Sequence, residues 1–438
     1  MTTRPDSLGL PVAHATDTAL AVIDRFTHRL LRLAPGVEAI LDDVPACPDT
    51  PMVRLLAAAL CLFGQTGASD AAAADHLAAA RPMLDHDRER QLFHLLTLWA
   101  RQDHLGAATV AEAMTQADPR DLLAAKLAEF FYYVLGQQHE GPRFLAHMQR
   151  LAPANGRQPD FLSMLAFAHE LTGDLANAER WAEAALAETP DHPWVHHCIA
   201  HQYLRQGNIE HGIARLQAFL PLWPAAGRFI HCHNAWHLAV AYLEALDPAD
   251  ALALYRQHVG GVSTGLVAEQ LDSIAFLWRA EMAGADHQEG WDTLADLAET
   301  QVGLRYMPFM DAHTAYALAR AGRRDAVAAL LAGVEARAGA GDAEAGRSWR
   351  PVGLPLVRAA AALAQGDAAG AAGMLDPAMA GITVVGGSDA QVDLFRQAYH
   401  HALSRAGRHA DARAYWQAIT AGRDLTPLDR QRLGGYRA

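Results

Sequence analysis

Histidines recur at corresponding points of two neighbouring segments of this 438-residue chain. Residues 194–201 read WVHHCIAH, and residues 231–237 read HCHNAWH. His197 and His201 are four residues apart, so they share one face of a helix. Imidazole titrates near neutral pH, binds transition metals and transfers protons. A purely structural scaffold has no need of so many imidazoles, and these segments therefore indicate a functional site.

Eight positions in the sequence predict the helices that hold these histidines. We call these positions corners, because the chain is expected to turn there from one helix to the next. The corners follow one another at intervals between 34 residues (Gly173 to Gly207) and 44 residues (Gly322 to Gly366). The shortest interval is the period of a tetratricopeptide hairpin. The corners are Gly136, Gly173, Gly207, Leu246, Gly284, Gly322, Gly366 and Gly407. Leu246 stands where a glycine is expected.

Helix-capping residues follow several corners. Asp174, Asn208 and Asp247 come directly after their corners, as a turn or the cap of the second helix requires. Ser388 and Gln391 have the spacing of a capping box that opens the last hairpin. Prolines fall between the helical segments, and strand signals are nearly absent.

These patterns predict an all-α fold class, an α-solenoid of tetratricopeptide-like helical hairpins. Residues 1–15 are expected to be disordered, and residues 16–438 are expected to form a single tetratricopeptide-like α-solenoid domain.

Composition narrows the classes of function. The net charge of −13 argues against nucleic acid as a partner, because phosphate recognition needs a basic stripe. The beginning of the chain lacks a signal-peptide pattern, and no apolar stretch approaches the length of a membrane-spanning helix. The four cysteines form no CxxC pair. We therefore expect a soluble cytoplasmic protein without a membrane partner, whose oligomeric state, a homodimer included, stays open.

Five motifs in a fixed order extend the pattern beyond a generic repeat. They are residues 197–201 followed by Gln206-Gly207, residues 233–239, Asp272 followed by residues 277–279, residues 308–313, and residues 386–395. From about residue 50 to about residue 420 the chain resembles the tetratricopeptide repeat protein 38 family. The resemblance implies an α-solenoid of tetratricopeptide-like hairpins and no particular reaction. The chain departs from the family pattern at Phe130-Phe131, where a more polar pair is expected.

The repeat frame predicts where the histidines point, because the first helix of a tetratricopeptide hairpin lines the concave groove. His197 and His201 take groove-facing positions, as do His233 and Trp236. Successive first helices are adjacent in a solenoid, so residues of different hairpins are expected to meet. The converging side chains are His197, His201, His233, His237, Asp272, Asp311 and His313, with Trp194, Trp236 and Trp278 as an aromatic wall.

The leading interpretation is a pocket for a small organic molecule in which histidine carries out acid–base chemistry, a hydrolysis, an elimination or an isomerisation. A carboxylate beside a histidine fixes its tautomer and raises its basicity. The expected catalytic residues are His201, His237, His233, Asp272 and His313. The expected substrate-binding residues are His197, Asn234, Trp236, Trp278, Arg279 and Asp311, with Arg279 as a clamp for a carboxylate.

Two alternatives use the same residues. One is a metal-dependent enzyme with Zn²⁺ or Fe²⁺ on His197, His201 and His233, although the chain has no HExxH motif. The other is a scaffold without catalysis that binds a peptide or protein in its groove. A cysteine nucleophile at Cys198 or Cys232 is a minor option, since neighbouring histidines could lower a thiol pKa.

Overall fold

Helices dominate the structure. A computed structural model describes residues 3–262, 266–285 and 290–435 of the chain. Within these residues, β structure is confined to two short antiparallel strands, β1 (Thr3–Pro5) and β2 (Pro11–Ala13). The predicted all-α class is therefore confirmed.

The described ranges contain 22 α-helices. They are α1 Asp17–Arg32, α2 Ile40–Asp43, α3 Pro51–Gly64, α4 Gly67–Ala80, α5 Asp87–Ala100, α6 His104–Ala117, α7 Leu122–Asn155, α8 Pro159–Leu171, α9 Leu175–Glu188, α10 Pro193–Gln206, α11 Ile209–Phe219, α12 Arg228–Glu244, α13 Pro248–Leu254, α14 Val267–Met282, α15 Trp291–Glu299, α16 Pro308–Arg320, α17 Arg324–Gly339, α18 Leu354–Ala364, α19 Ala368–Ala378, α20 Asp389–Arg405, α21 His409–Ile419 and α22 Pro427–Gly434. None of them is long and apolar enough to cross a membrane.

The eight predicted corners all have left-handed backbone conformations. Their φ angles run from 64° at Leu246 to 101° at Gly136. Glycine adopts this region at no steric cost, and Leu246 is the one non-glycine corner. Gly136 lies inside α7 and breaks it, with φ 101° and ψ 98°, so that this element is two helices joined at the corner. The sequence thus predicts the turning points of the chain correctly.

Side chains directly after the corners cap the second helices. The carboxylates of Asp174, Asp247 and Asp367 accept a hydrogen bond from a backbone N–H three residues later. Asn208, which follows the same rule in sequence, makes no capping bond. Capping satisfies N–H groups that have no partner within the helix.

Consecutive helices pack in pairs, among them α8 with α9, α10 with α11 and α12 with α13. The first helices of successive pairs also pack on one another, α8 on α10, α10 on α12, α12 on α14 and α14 on α16. The later helix α20 contacts both α10 and α14. A helix from the end of the chain therefore lies against first helices from its middle.

Residues 385–391, which include the first turn of α20, tie distant helices together. Gly387 accepts a backbone hydrogen bond from Gln137 and donates one to Tyr133, both at 3.0 Å. Ser388 and Gln391 form the predicted capping box, with side chain and backbone bonded in both directions. The capping box thus begins α20 beside the broken helix α7.

The N-terminal residues differ from the prediction of disorder for residues 1–15. Residues 3–13 form the strand pair, and the Val12 side chain is fully buried. Glu89 on α5 holds this hairpin by accepting a hydrogen bond from the Ala13 N–H. Residues 1 and 2 lie outside the described part of the chain.

Candidate functional site

Four histidines of α10 and α12 meet in the interior. The ring centroid of His197 lies 4.5 Å from that of His201 and 5.0 Å from those of His233 and His237. His237 is 4.7 Å from His201 and 4.8 Å from His233. All four side chains are at most 5% exposed. The predicted convergence of these residues is therefore present, and we call them the histidine cluster.

Two carboxylates orient two members of the cluster. Asp389, at the start of α20, accepts a 2.7 Å hydrogen bond from His201 Nδ1. Asp272 on α14 accepts a 2.8 Å hydrogen bond from His233 Nδ1. Because a carboxylate only accepts, the proton of each ring lies on Nδ1. The Nε2 atoms are thereby left with a lone pair for a ligand or a proton. Asp272 was predicted in this role, whereas Asp389 was not.

Three other nitrogens of the cluster lack a hydrogen-bond partner, whereas the Nε2 atoms of His201 and His197 are hydrogen-bonded to each other. His201 Nε2 lies 3.1 Å from His197 Nε2, and His197 Nδ1 has no hydrogen-bond partner. Neither Nδ1 nor Nε2 of His237 has a partner, although the side chain is fully buried. A buried polar group without a hydrogen bond costs free energy, so these nitrogens would be stabilised by a partner that binds them.

The environment keeps part of the cluster uncharged. Burial lowers the pKa of His197 well below its usual range, and the neighbouring His201 and His233 act in the same direction. Burial likewise lowers the pKa of His237 well below its usual range, assisted by His201 and His233. Both imidazoles are therefore neutral at pH 7, which is the state that binds metals.

Two acids, Glu170 and Asp389, lie beside His201 Nδ1. Glu170 on α8 is fully buried, and its Oε2 lies 3.9 Å from His201 Nδ1. Burial and the charge of Asp389 raise the pKa of Glu170 well above its usual range. Burial opposes the ionisation of Asp389, but His201 and Arg205 together hold the pKa of Asp389 below its usual value. Glu170 is thus the protonated member of this pair and Asp389 the charged one.

Tryptophans cover two sides of the cluster. Trp194 stacks on His197 at 4.2 Å between centroids, and Trp236 stacks on His233 at 5.4 Å. Lys126 lies 4.0 Å over the Trp194 ring and forms an ion pair with Glu129. The predicted aromatic wall is present for these two tryptophans.

Three other predicted site residues have different surroundings. His313 donates from Nδ1 to its own helix at Phe309 O, at 2.7 Å. Trp278 stacks on Tyr316 at 3.9 Å and contacts the His313 ring edge-on at 6.2 Å. Asp311 lies 3.6 Å from Arg305. The structure pairs none of the three with a cluster histidine among the residues that it describes, and their predicted catalytic and substrate-binding roles stay predictions.

Asn234 and the two cysteines that flank the cluster are buried. The Asn234 amide donates to Pro193 O at 3.0 Å and so joins α12 to the start of α10. Cys198 and Cys232 are buried, and burial raises the pKa of each thiol well above its usual range. A buried thiol of this kind is inert, which removes the cysteine nucleophile.

The geometry of three histidines fits a transition metal. One nitrogen each from His197, His201 and His237 lies within 4.8 Å of the other two. Two ligand nitrogens about 2.1 Å from a tetrahedral zinc stand roughly 3.4 Å apart, close to the 3.1 Å between His197 Nε2 and His201 Nε2. The metal set predicted from sequence was His197, His201 and His233, whereas the three histidines whose nitrogens approach one another this closely include His237 in place of His233.

A cavity of about 530 Å³ adjoins the cluster. His201, Asp389, Arg279 and Glu244 are among the residues that line it. Its size matches that of pockets for small organic molecules.

Sequence reasoning missed Asp389, Glu170 and Arg205 as site residues. Asp389 is 188 residues from His201, and no local spacing connects the two. Glu170 sits in a helix among apolar residues, where its isolated charge was the only signal. No protein-family model matches the sequence.

Proposed function

We propose that His197, His201 and His237 hold a divalent transition metal, Zn²⁺ or Fe²⁺, and that the protein is a metal-dependent enzyme acting on a small organic molecule. The observation that carries the proposal is His237, which is fully buried beside two other imidazoles and has no partner for either nitrogen. A metal would satisfy one of these nitrogens. The Asp389 carboxylate on His201 is the kind of outer partner that orients metal-binding histidines.

The chemistry we propose is hydrolysis. Three histidine ligands leave a coordination position open for water, and a metal held by them would supply a nucleophile by lowering the pKa of that water. His233 is the proposed general base, since Asp272 fixes its Nδ1 proton and leaves Nε2 free to accept one. After the proton transfer, Asp272 stabilises the imidazolium of His233. His233 can then protonate the leaving group.

A metal-free acid–base enzyme is the second candidate. The two carboxylate–histidine pairs, Asp389 with His201 and Asp272 with His233, favour it. Elimination and isomerisation need only such pairs beside a pocket.

A peptide-binding scaffold is less well supported. Such a scaffold needs a groove that is open along its length. Helix α20 contacts α10 and α14, the helices that would line that groove, and the histidine cluster is buried.

The architecture proposed for this enzyme is a tetratricopeptide-like solenoid of the kind found in the tetratricopeptide repeat protein 38 family. The helix pairs and the left-handed corners support it. A cytoplasmic location is part of the proposal and is supported by the four cysteines, which are all free and buried.

Elemental analysis of untagged protein by plasma mass spectrometry tests the proposal. We expect about one zinc or iron per chain in the wild type and a loss of metal in His237→Leu, since the variant keeps the volume but lacks the ligand. His313→Gln is the matched control, because His313 is equally buried but lies outside the cluster. It should retain its metal.

A wild-type protein that stays free of metal after incubation with Zn²⁺, Fe²⁺ and Mn²⁺ would refute the metal proposal and leave the acid–base enzyme. Equal loss of metal in His313→Gln and His237→Leu would show that the metal is bound elsewhere or that both variants are misfolded, which circular dichroism separates.

A further inference from the structure

A buried cation lines the cavity beside the histidine cluster. Arg279, on α14, lines this cavity and is only 2% exposed. One of its nitrogens, Nη2, donates to Ala390 O at 2.6 Å. Its other two nitrogens, Nε and Nη1, have no hydrogen-bond partner. A guanidinium carries five N–H donors, so most of the hydrogen-bonding capacity of Arg279 is unused.

Arg279 is held in place by an aromatic ring that also touches the cluster. Its guanidinium carbon lies 5.3 Å from the centroid of the Trp236 ring. Trp236 in turn stacks on His233, with the ring planes 6° apart. A molecule that contacts Arg279 is therefore within reach of the histidine cluster.

The acidic groups around the cavity are already engaged. Glu244 accepts hydrogen bonds from Gln397 and from Thr426. Asp393 accepts one from Gln397 at 2.8 Å. Asp389 accepts one from His201. Each carboxylate thus has a donor.

The other arginines of the cavity are engaged as well. Arg205 bonds Glu170, Arg396 donates to Gln138, and Arg423 bonds Asp429. Among the charged residues described around this cavity, Arg279 alone has two buried nitrogens without a hydrogen-bond partner. Asp393 and Glu244 act on the charge of Arg279 through space, but they leave its Nε and Nη1 without hydrogen bonds. Buried donors without acceptors are costly, and a ligand with a negative oxygen would offset that cost.

We propose that the cavity binds a small organic anion, whose carboxylate or phosphate oxygens accept hydrogen bonds from Nε and Nη1 of Arg279 while its reacting group lies at the histidine cluster. The assignment of this anion as the substrate rests on the proposed function, whereas its binding does not. Arginine suits both oxyanions, because its N–H donors match their acceptor geometry.

Titration calorimetry with malonate and with inorganic phosphate tests the anion site. We expect saturable binding of at least one probe to the wild type and a loss of affinity of about tenfold or more in Arg279→Met. Arg396→Met is the matched control, because Arg396 lines the same cavity but has an acceptor in Gln138. Its affinity for the probe should stay within about twofold of the wild type.

The same titration with His237→Leu separates this inference from the proposed function. Anion binding that persists in His237→Leu supports the Arg279 site whether or not a metal is present. If Arg279→Met does not fold, Arg279→Lys serves as the second variant, and we expect about fivefold weaker binding because the ammonium lacks the planar fork. Absence of binding of both probes to the wild type at about 10 mM, or equal losses in Arg279→Met and Arg396→Met, would overturn the inference.

Discussion

The hydrogen-bond partners of single imidazole nitrogens distinguish the roles of the four cluster histidines. His201 and His233 each have one nitrogen fixed by a carboxylate. His237 has no partner on either nitrogen. The first two are therefore set in one tautomer, whereas both nitrogens of the third are open to the metal that we propose. Histidines at similar positions of the helices thus differ in the nitrogen that they can offer, because their hydrogen-bond partners differ.

Replacing Asp389 by asparagine tests the role of this carboxylate. Asp389→Asn keeps an acceptor for His201 Nδ1 but removes the negative charge that raises the basicity of the ring. We expect metal affinity to fall by about 10- to 100-fold, as is typical for such outer partners. Competition with a coloured chelator measures the affinity.

Asp393→Asn is the control for this substitution. Asp393 lies one helical turn further along α20 and lines the same cavity, but it accepts its hydrogen bond from Gln397 and not from a histidine. Its metal affinity should match that of the wild type. An unchanged affinity in Asp389→Asn would show that the Asp389 carboxylate does not support the metal ligands.

The sequence predicts only the part of the site that depends on local spacing. His197 and His201 share a helix, so their proximity follows from the four-residue interval. The bond between His201 and Asp389 depends on how α20 docks on α10, and no periodicity encodes that contact. The repeat position of His313 predicts that it converges with the cluster histidines. That position does not reveal that its ring bonds to Phe309 O on its own helix.

At the scale of elements, the corners turn the chain and also allow other segments to approach closely. Gly207 and Gly322 have the same φ of 74°. A Cβ at Gly207 would lie 1.9 Å from the backbone oxygen of Asp424, whereas a Cβ at Gly322 would meet nothing within 4 Å. Asp424 also donates its N–H to Gln206 O at 3.0 Å. The corner at Gly207 is therefore the docking point for the segment that leads to α22.

Alanine at these two corners separates backbone strain from loss of docking. Gly322→Ala should lower the free energy of unfolding by about 1 kcal/mol, the cost of a left-handed alanine. Gly207→Ala carries the same strain and in addition displaces residue 424, so we expect a loss of about 3 kcal/mol or more. Urea unfolding followed by circular dichroism measures both. Equal losses would mean that the 424 contact adds nothing to stability.

Corner positions could be predicted from sequence because a left-handed turn selects glycine locally. The docking of residue 424 at one corner and not at another could not be predicted, since Gly207 and Gly322 look alike in the sequence. The structure therefore adds the long-range contacts, and those contacts close the cavity with residues such as Gly422 and Thr426.

At the scale of the whole molecule, many ionisable groups are buried, and their contributions to stability depend on pH in opposite directions. Helix α16 contains one example of each. Burial lowers the pKa of His313 to about 3. Burial also raises the pKa of Asp311 to about 7, opposed by Arg305. Unfolded histidine and aspartate titrate near 6.5 and 3.9.

Between pH 7 and pH 5 the unfolded chain therefore binds a proton at His313 that the folded chain refuses, which lowers the free energy of unfolding as the pH falls. At Asp311 the folded chain binds a proton that the unfolded chain does not, which raises the free energy of unfolding as the pH falls. Each effect amounts to about 2 kcal/mol over this range. On acidification from pH 7 to pH 5, the free energy of unfolding of His313→Phe should fall by about 2 kcal/mol less than that of the wild type. That of Asp311→Asn should fall by about 2 kcal/mol more. Urea unfolding at pH 7 and pH 5 with a chelator present measures both differences. The same pH dependence in all three proteins would mean that neither group is shifted by burial, and a reversed order would contradict the assigned directions.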